Sequence, residues 1–173
     1  MISDTLQWSI AYARQSLADM RARAALLEHS ELPECQQLHF LQMGCEKLCK
    51  AYLCGRGVDP VALRGSHAYI GSTMPIIVRQ HFAREARKVR VDRTWVIRAI
   101  GTLARKIELL SPAVNDAGRS PANCEYPWTG ADGTVRVPAE YDFKLDLLHD
   151  GAGHHLVKAL YTTAEELIRS GAG

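Results

Sequence analysis

PECQQLHFLQMGCEKLCKAYLCG, residues 33–55, is the stretch whose reading decides the fold. Leu38, Leu41, Cys45, Leu48 and Tyr52 recur at alternating steps of three and four, which puts them on one stripe of a helix. Pro33 stands where a first helical turn tolerates it, and Gly55 where a helix usually stops. Gln36, Gln37, Glu46, Lys47 and Lys50 make up the expected polar face opposite. A helix this long with one apolar seam must bury that seam against other helices.

The flanking sequence supplies those helices. Residues 3–29 repeat Leu6, Ile10, Ala13, Leu17, Met20, Ala24 and Leu27 at steps of four and three, the seam of nearly aligned helices in a bundle. Ser3 is the expected N-cap. The link at residues 30–33 is short, so the second helix should return antiparallel beside the first. Gly55, Gly57, Asp59, Pro60, Gly65 and Gly71 then signal short or broken structure.

Two more helices are predicted next, over residues 73–88 and from Asp92 or Thr94 to about Leu110. The first has Pro75 in its opening turn and Ile76, Ile77, Phe82 and Ala86 on its apolar side. The second has the stripe Trp95, Val96, Ala99, Ile100, Leu103 and Ile107 and closes at Ser111-Pro112. A last helix is expected over residues 142–170, with Leu145, Leu148, Leu156, Leu160, Leu167 and Ile168 as core. Within it, Gly151-Ala152-Gly153 signals a break or a close approach, each glycine costing about 1 kcal/mol relative to alanine.

Residues 111–141 differ in character. Pro112, Gly118, Pro121, Pro127, Gly130, Gly133 and Pro138 rule out a long helix, and Val135 to Val137 beside the GADGT turn allow a hairpin at most. Tyr126 and Trp128 are residues that disordered linkers seldom contain, so the segment is expected to lie ordered over the bundle. The fold expected is all-α: a bundle of about five helices in one domain, residues 1–173, with a long irregular insertion before the last helix.

FLQMGCEKLCKAYLCGRGVDP, residues 40–60, followed by His67, resembles the second helix and following turn of HEPN domains. These are small all-helical modules of prokaryotic toxin–antitoxin, nucleotidyltransferase-associated and defence systems, named for nucleotide binding. The resemblance implies a HEPN-like bundle, commonly a homodimer, linked to nucleotides or RNA and to a partner protein encoded nearby. Members with ribonuclease activity carry an arginine, four to six spacer residues and a histidine late in the domain. Here only Arg23 and His29 have that spacing, and they lie at the end of the first helix. Their expected role is to cap or decorate that helix end.

Composition bounds the rest. The chain has 173 residues, 47% of them hydrophobic and 23% charged, as in ordinary globular domains. No apolar run reaches the roughly 18 residues of a membrane span. The N-terminus MISDTLQWSI lacks the basic start and apolar core of a signal peptide, so the expected compartment is the cytoplasm, with no membrane partner. The odd cysteine count of five fits buried thiols rather than disulfides. Cys45 and Cys49 have no second pair to complete a metal site. No cofactor fingerprint appears, so neither cofactor nor metal is expected. Between Arg79 and Lys106 stand nine basic residues against two acidic ones, Glu85 and Asp92. That surplus fits either a polyanion partner or a solvated helical face.

Three groups of residues are candidates for binding. Arg64, Ser66 and His67 lie in a glycine-punctuated loop whose free N–H groups suit a phosphate, and Lys47 and Lys50 are placed to converge on it. In the insertion, Arg119 and Tyr126 offer a charge and a ring on which a base could stack. Asp150 and His154, four apart, have the spacing of a ligand pair but no companions. The expected function is a HEPN-like nucleotide- or RNA-binding module of a prokaryotic toxin–antitoxin or defence-type system. Two other readings stand beside it: a non-enzymatic protein-interaction bundle, and a ribonuclease with an atypical histidine, His67 or His154.

Overall fold

The computed structural model describes residues 4–85, 93–114 and 121–170. Six α-helices are found among them: α1 Asp4–Leu27, α2 Glu34–Cys54, α3 Pro60–Arg64, α4 Ile70–Glu85, α5 Thr94–Glu108 and α6 Gly151–Ser170. Among the described residues the one sheet is a two-stranded antiparallel ribbon, β1 Trp128–Thr129 and β2 Val135–Arg136, with Trp128 opposite Arg136. The architecture is an all-α bundle with a long irregular insertion before its last helix. The expected N-cap Ser3, the end of the third helix at Lys88, and Asp92 lie outside the described residues.

α2 is the central element. Leu38, Leu41, Cys45 and Leu48 are fully buried, as their stripe requires, but so are Cys49 and Ala51, and Gln42, Glu46 and Lys50 are buried beside them. The helix packs against α1, α4, α5 and α6 at once, so its surroundings leave little room for a solvated face. Glu46 and Lys50 are therefore corrected from the polar face to the interior.

Contact between α1 and α2 is close because small residues line it. The Ser9 hydroxyl donates to the Ala51 carbonyl at 2.8 Å, and the Ser16 hydroxyl to that of Gly44 at 2.7 Å. A Cβ on Gly44 would sit 3.0 Å from Met20 Cγ and Sδ. Ala13, Leu17 and Met20 hold the seam, whereas Ala24 and Leu27 are exposed. The buried line instead runs through Ser9, Ser16 and Arg23. Apolar periodicity alone misassigned the end of this helix.

α4 begins at Ile70, so Pro75 sits in its second turn rather than its first. There it forgoes one hydrogen bond to Gly71. α5 buries Val96, Ile100, Leu103, Ala104 and Ile107, which leaves Trp95 62% exposed. One residue from Val96 is a step of 100° around a helix, enough to carry the indole out of the core.

The last helix starts at Gly151 and not at residue 142. A 3-10 turn, Asp146–Leu148, precedes it. A Cβ on Gly153 would lie 2.0 Å from the Leu148 carbonyl oxygen. The close approach foreseen in the glycine triplet is thus the docking of the helix start on the turn before it. Tyr161 ties α6 back to α1 by donating to the Met20 carbonyl at 3.0 Å.

The insertion is held by local geometry. Asn123 is buried; its side-chain Oδ1 accepts from the Glu125 and Tyr126 backbone amides at 2.9 and 2.7 Å, and its Nδ2 donates to the Pro121 and Tyr126 backbone carbonyls. The Cys124 amide donates to Leu110 at 3.1 Å. Trp128, Tyr141 and Phe143 pack edge to face, with Trp128–Tyr141 and Tyr141–Phe143 centroids 4.9 and 5.0 Å apart. Trp128 thus ties the hairpin to the end of the insertion, whereas Tyr126 is exposed.

The two glycines at the start of α6 give a sharp contrast. Gly153→Ala must push the helix off Leu148 and should lower stability by about 2 kcal/mol or more. Gly151→Ala meets open space and should be neutral or gain up to about 1 kcal/mol. Urea unfolding of both variants measures the difference; equal stabilities would contradict the packing described.

Candidate functional site

Asp59 caps α3 by accepting from the Val61 amide at 2.8 Å, with Pro60 in the first turn and Gly65 at the end. This short helix presents residues 64–67 to the side of α2. The Ser66 hydroxyl accepts from the Ala68 amide at 3.3 Å, turning the chain into α4. His67, which is 42% exposed, then brings Nδ1 to 3.0 Å from Glu46 Oε2.

Glu46 is the hub of this cluster. Its Oε1 accepts from Lys50 Nζ at 2.7 Å, and Oε2 accepts from Gln42 Nε2 at 3.1 Å as well as facing His67. Burial alone would raise the Glu46 carboxyl, but the hydrogen bonds from Lys50 and His67 outweigh it and hold the group below its ordinary 4.5. An ionised carboxylate only accepts, so His67 Nδ1 carries hydrogen and Nε2 faces away from Glu46.

The structure therefore brings Lys50 and His67 together, but on an internal carboxylate. Lys47 turns to α1 and meets Asp19 Oδ2 at 2.6 Å. The Arg64 guanidinium lies 4.6 Å from the Trp8 ring centroid. Tyr126 belongs to the exposed surface of the insertion, and Arg119 lies outside the described residues. Arg23 is buried and His29 is exposed at 3.1 Å from Glu31, so the chain's one Arg–His spacing does not make a joint site. His154 is exposed.

A second charged cluster ties α4, α5 and α6. Glu85 accepts from Lys158 at 2.7 Å and from Arg93 at 3.1 Å, with His81 Nε2 at 3.5 Å. The Lys158 hydrogen bond leads in holding Glu85 below the usual carboxylate range, and burial lowers His81. Arg93 also covers the Phe82 ring at 4.5 Å. Only the four-residue spacing of His81 and Glu85 could have signalled this group in the sequence.

These partners sort the basic stretch between Arg79 and Lys106. Arg87, Lys88 and Arg90 lie outside the described residues. Arg93 is held by Glu85, Arg84 faces Glu166 at 3.0 Å, and Lys106 donates to the Lys144 carbonyl. Arg79, Arg98 and Arg105 remain, all exposed and without a carboxylate in ion-pair range among the described residues. Trp95, Arg98, Thr102 and Arg105 recur at steps of three and four, which makes them one outward stripe of α5. Pro75 lies against Gly101 and Arg105 against Gly71, a register that brings Arg79 level with Arg98.

All five cysteines are free and buried. Burial raises every thiol, that of Cys45 to about 12, which keeps them protonated at neutral pH. Among the described residues, no three His, Cys, Asp or Glu side chains gather as a metal site would need. No described helix is long and apolar enough to cross a membrane.

Comparison with protein-family models, with curated proteins and with solved structures finds no match for the chain.

Glu46→Gln should leave the Lys50 ammonium buried without a counter-charge, a loss of about 3 kcal/mol at pH 7. The carboxyl's lowered value makes its contribution full above pH 4.5 and lost as pH falls below that. The stability gap between wild type and variant should therefore narrow on acidification. A gap unchanged between pH 7 and pH 3 in chemical unfolding would contradict the role given to Glu46.

Proposed function

We propose that the chain is a HEPN-like RNA-binding helical module, of the kind found in prokaryotic toxin–antitoxin and defence systems, that docks single-stranded RNA on the outward face of α5. The observation carrying this reading is the set Arg79, Arg98 and Arg105, exposed with no described carboxylate to neutralise them, the last two on the α5 stripe that also exposes Trp95. Guanidiniums free of internal partners are available to phosphates, and an exposed indole offers a base a surface to stack on.

The test is a salt titration of binding to a fluorescent single-stranded RNA. Three neutralised phosphates give log K against log salt a slope of about −2, and Arg98→Ala or Arg105→Ala should each remove about 0.7 of it. Trp95→Ala should weaken binding by about 1–3 kcal/mol with the slope intact. Absence of binding at low salt, or binding indifferent to salt, would sink the proposal.

A second reading rests on His67, whose Nδ1 is held by a buried carboxylate while its ring stays partly exposed. An imidazole so held has its other ring nitrogen free to exchange a proton with a substrate. Under it, RNA is cleaved and His67→Ala abolishes cleavage while binding persists. A gel without products disposes of it.

A further inference from the structure

Between the C-terminal halves of α2, α4 and α6 lies a cavity of about 280 Å³ that none of the residues discussed above for RNA contact lines. Its size is at the lower edge of sites that enclose organic ligands, which run from about 300 Å³ upward. Ile77 and Leu167 give it an apolar wall.

The Thr163 side chain is buried, 4% exposed, and its hydroxyl has no hydrogen-bond partner. A buried hydroxyl without a partner is costly, about 1–3 kcal/mol, which makes it an indicator of a missing ligand atom. Tyr52 makes the same point differently. Its oxygen accepts from Gln80 Nε2 at 2.8 Å and from Arg56 Nη1 at 3.0 Å. Its own proton is thereby left without an acceptor among the described residues. Two hydroxyl donors thus line the cavity together with two guanidiniums, those of Arg56 and Arg84.

One carboxylate opposes them. Glu166 Oε2 lies 3.0 Å from Arg84 Nη1 but off the N–H direction, and it makes no hydrogen bond. Two positive groups against one negative leave the lining with a charge of one positive unit.

We propose that this cavity binds a small organic oxyanion: a carboxylate or phosphate monoester carried on a compact apolar body. The oxyanion accepts from Tyr52, Thr163 and the arginines, and the body rests on Ile77 and Leu167. An oxyanion accepts from all four donors without adding another, and unlike a neutral carbonyl it also matches the positive charge left on the lining.

Methyl-resolved NMR of the full chain tests this with two probes that share a phenyl body, benzoate and phenyl phosphate, and with neutral benzamide as control. The expected result is a saturable shift of the Ile77, Leu167 and Thr163 methyls, with a Kd of about 1 mM or tighter for at least one anion. The stronger anion identifies which oxyanion the site prefers. Benzamide should bind at least about tenfold more weakly. Thr163→Val keeps the shape and removes the hydroxyl; it and Arg84→Ala should each weaken the anion about tenfold while the remaining methyl spectrum is unchanged. The proposal is overturned by no saturable shift with either anion, by equal binding of benzamide, or by unchanged affinity in both variants. Because Arg98 and Trp95 are not in the cavity, RNA affinity is read separately and stands or falls alone.

Discussion

The constraint on which the structure depends is the burial of α2 on nearly all sides. A helix packed against four others cannot keep a solvated face, yet this one carries Glu46 and Lys50. Left apart, either charge would make the packing untenable. Spaced four residues apart they neutralise each other at 2.7 Å, and Gln42 and His67 occupy the second carboxylate oxygen. Through His67 the same carboxylate fixes the loop between α3 and α4. A polar network inside the bundle thereby positions the chain that crosses its surface.

That network also explains how the chain's charge is distributed. The cations nearest the α2 surface are spent on internal partners: Lys50 on Glu46, Lys47 on Asp19, and Arg64 on the Trp8 ring. Glu85 does the same for Arg93 and Lys158 where α4, α5 and α6 meet. Within the described part of the stretch from Arg79 to Lys106, the charge that survives outward without a carboxylate partner is that of Arg79, Arg98 and Arg105, and on α1 Arg14 and Arg21 are exposed in the same way. Fields that act on a polyanion arise from such unneutralised groups and not from the count of basic residues.

The order of the five long helices was legible in the sequence because seam periodicity survives in α2 and α5, whereas the short α3 read only as broken structure. The hairpin and the glycine contact at the head of α6 were legible from turn chemistry. What escaped was anything decided by three-dimensional neighbours. Glu46 and Lys50 read as a polar face because helical spacing cannot reveal how many helices surround a given one. Trp95 read as core because large apolar side chains usually are, yet the α5 stripe turns one residue away from it. The loop after α2 read as a phosphate cradle from its Arg, Ser and His; the carboxylate that meets its histidine lies 21 residues upstream. The Thr163 hydroxyl and the cavity it lines had no signal in sequence at all.

The central claim is that RNA meets α5 and not the loop beside Glu46. Hydrogen–deuterium exchange of the full chain, with and without a short single-stranded RNA, addresses it directly. The account predicts that RNA slows exchange in peptides covering residues 94–106 and leaves those covering residues 64–69 unchanged. Protection confined to residues 64–69, with none on α5, would contradict it.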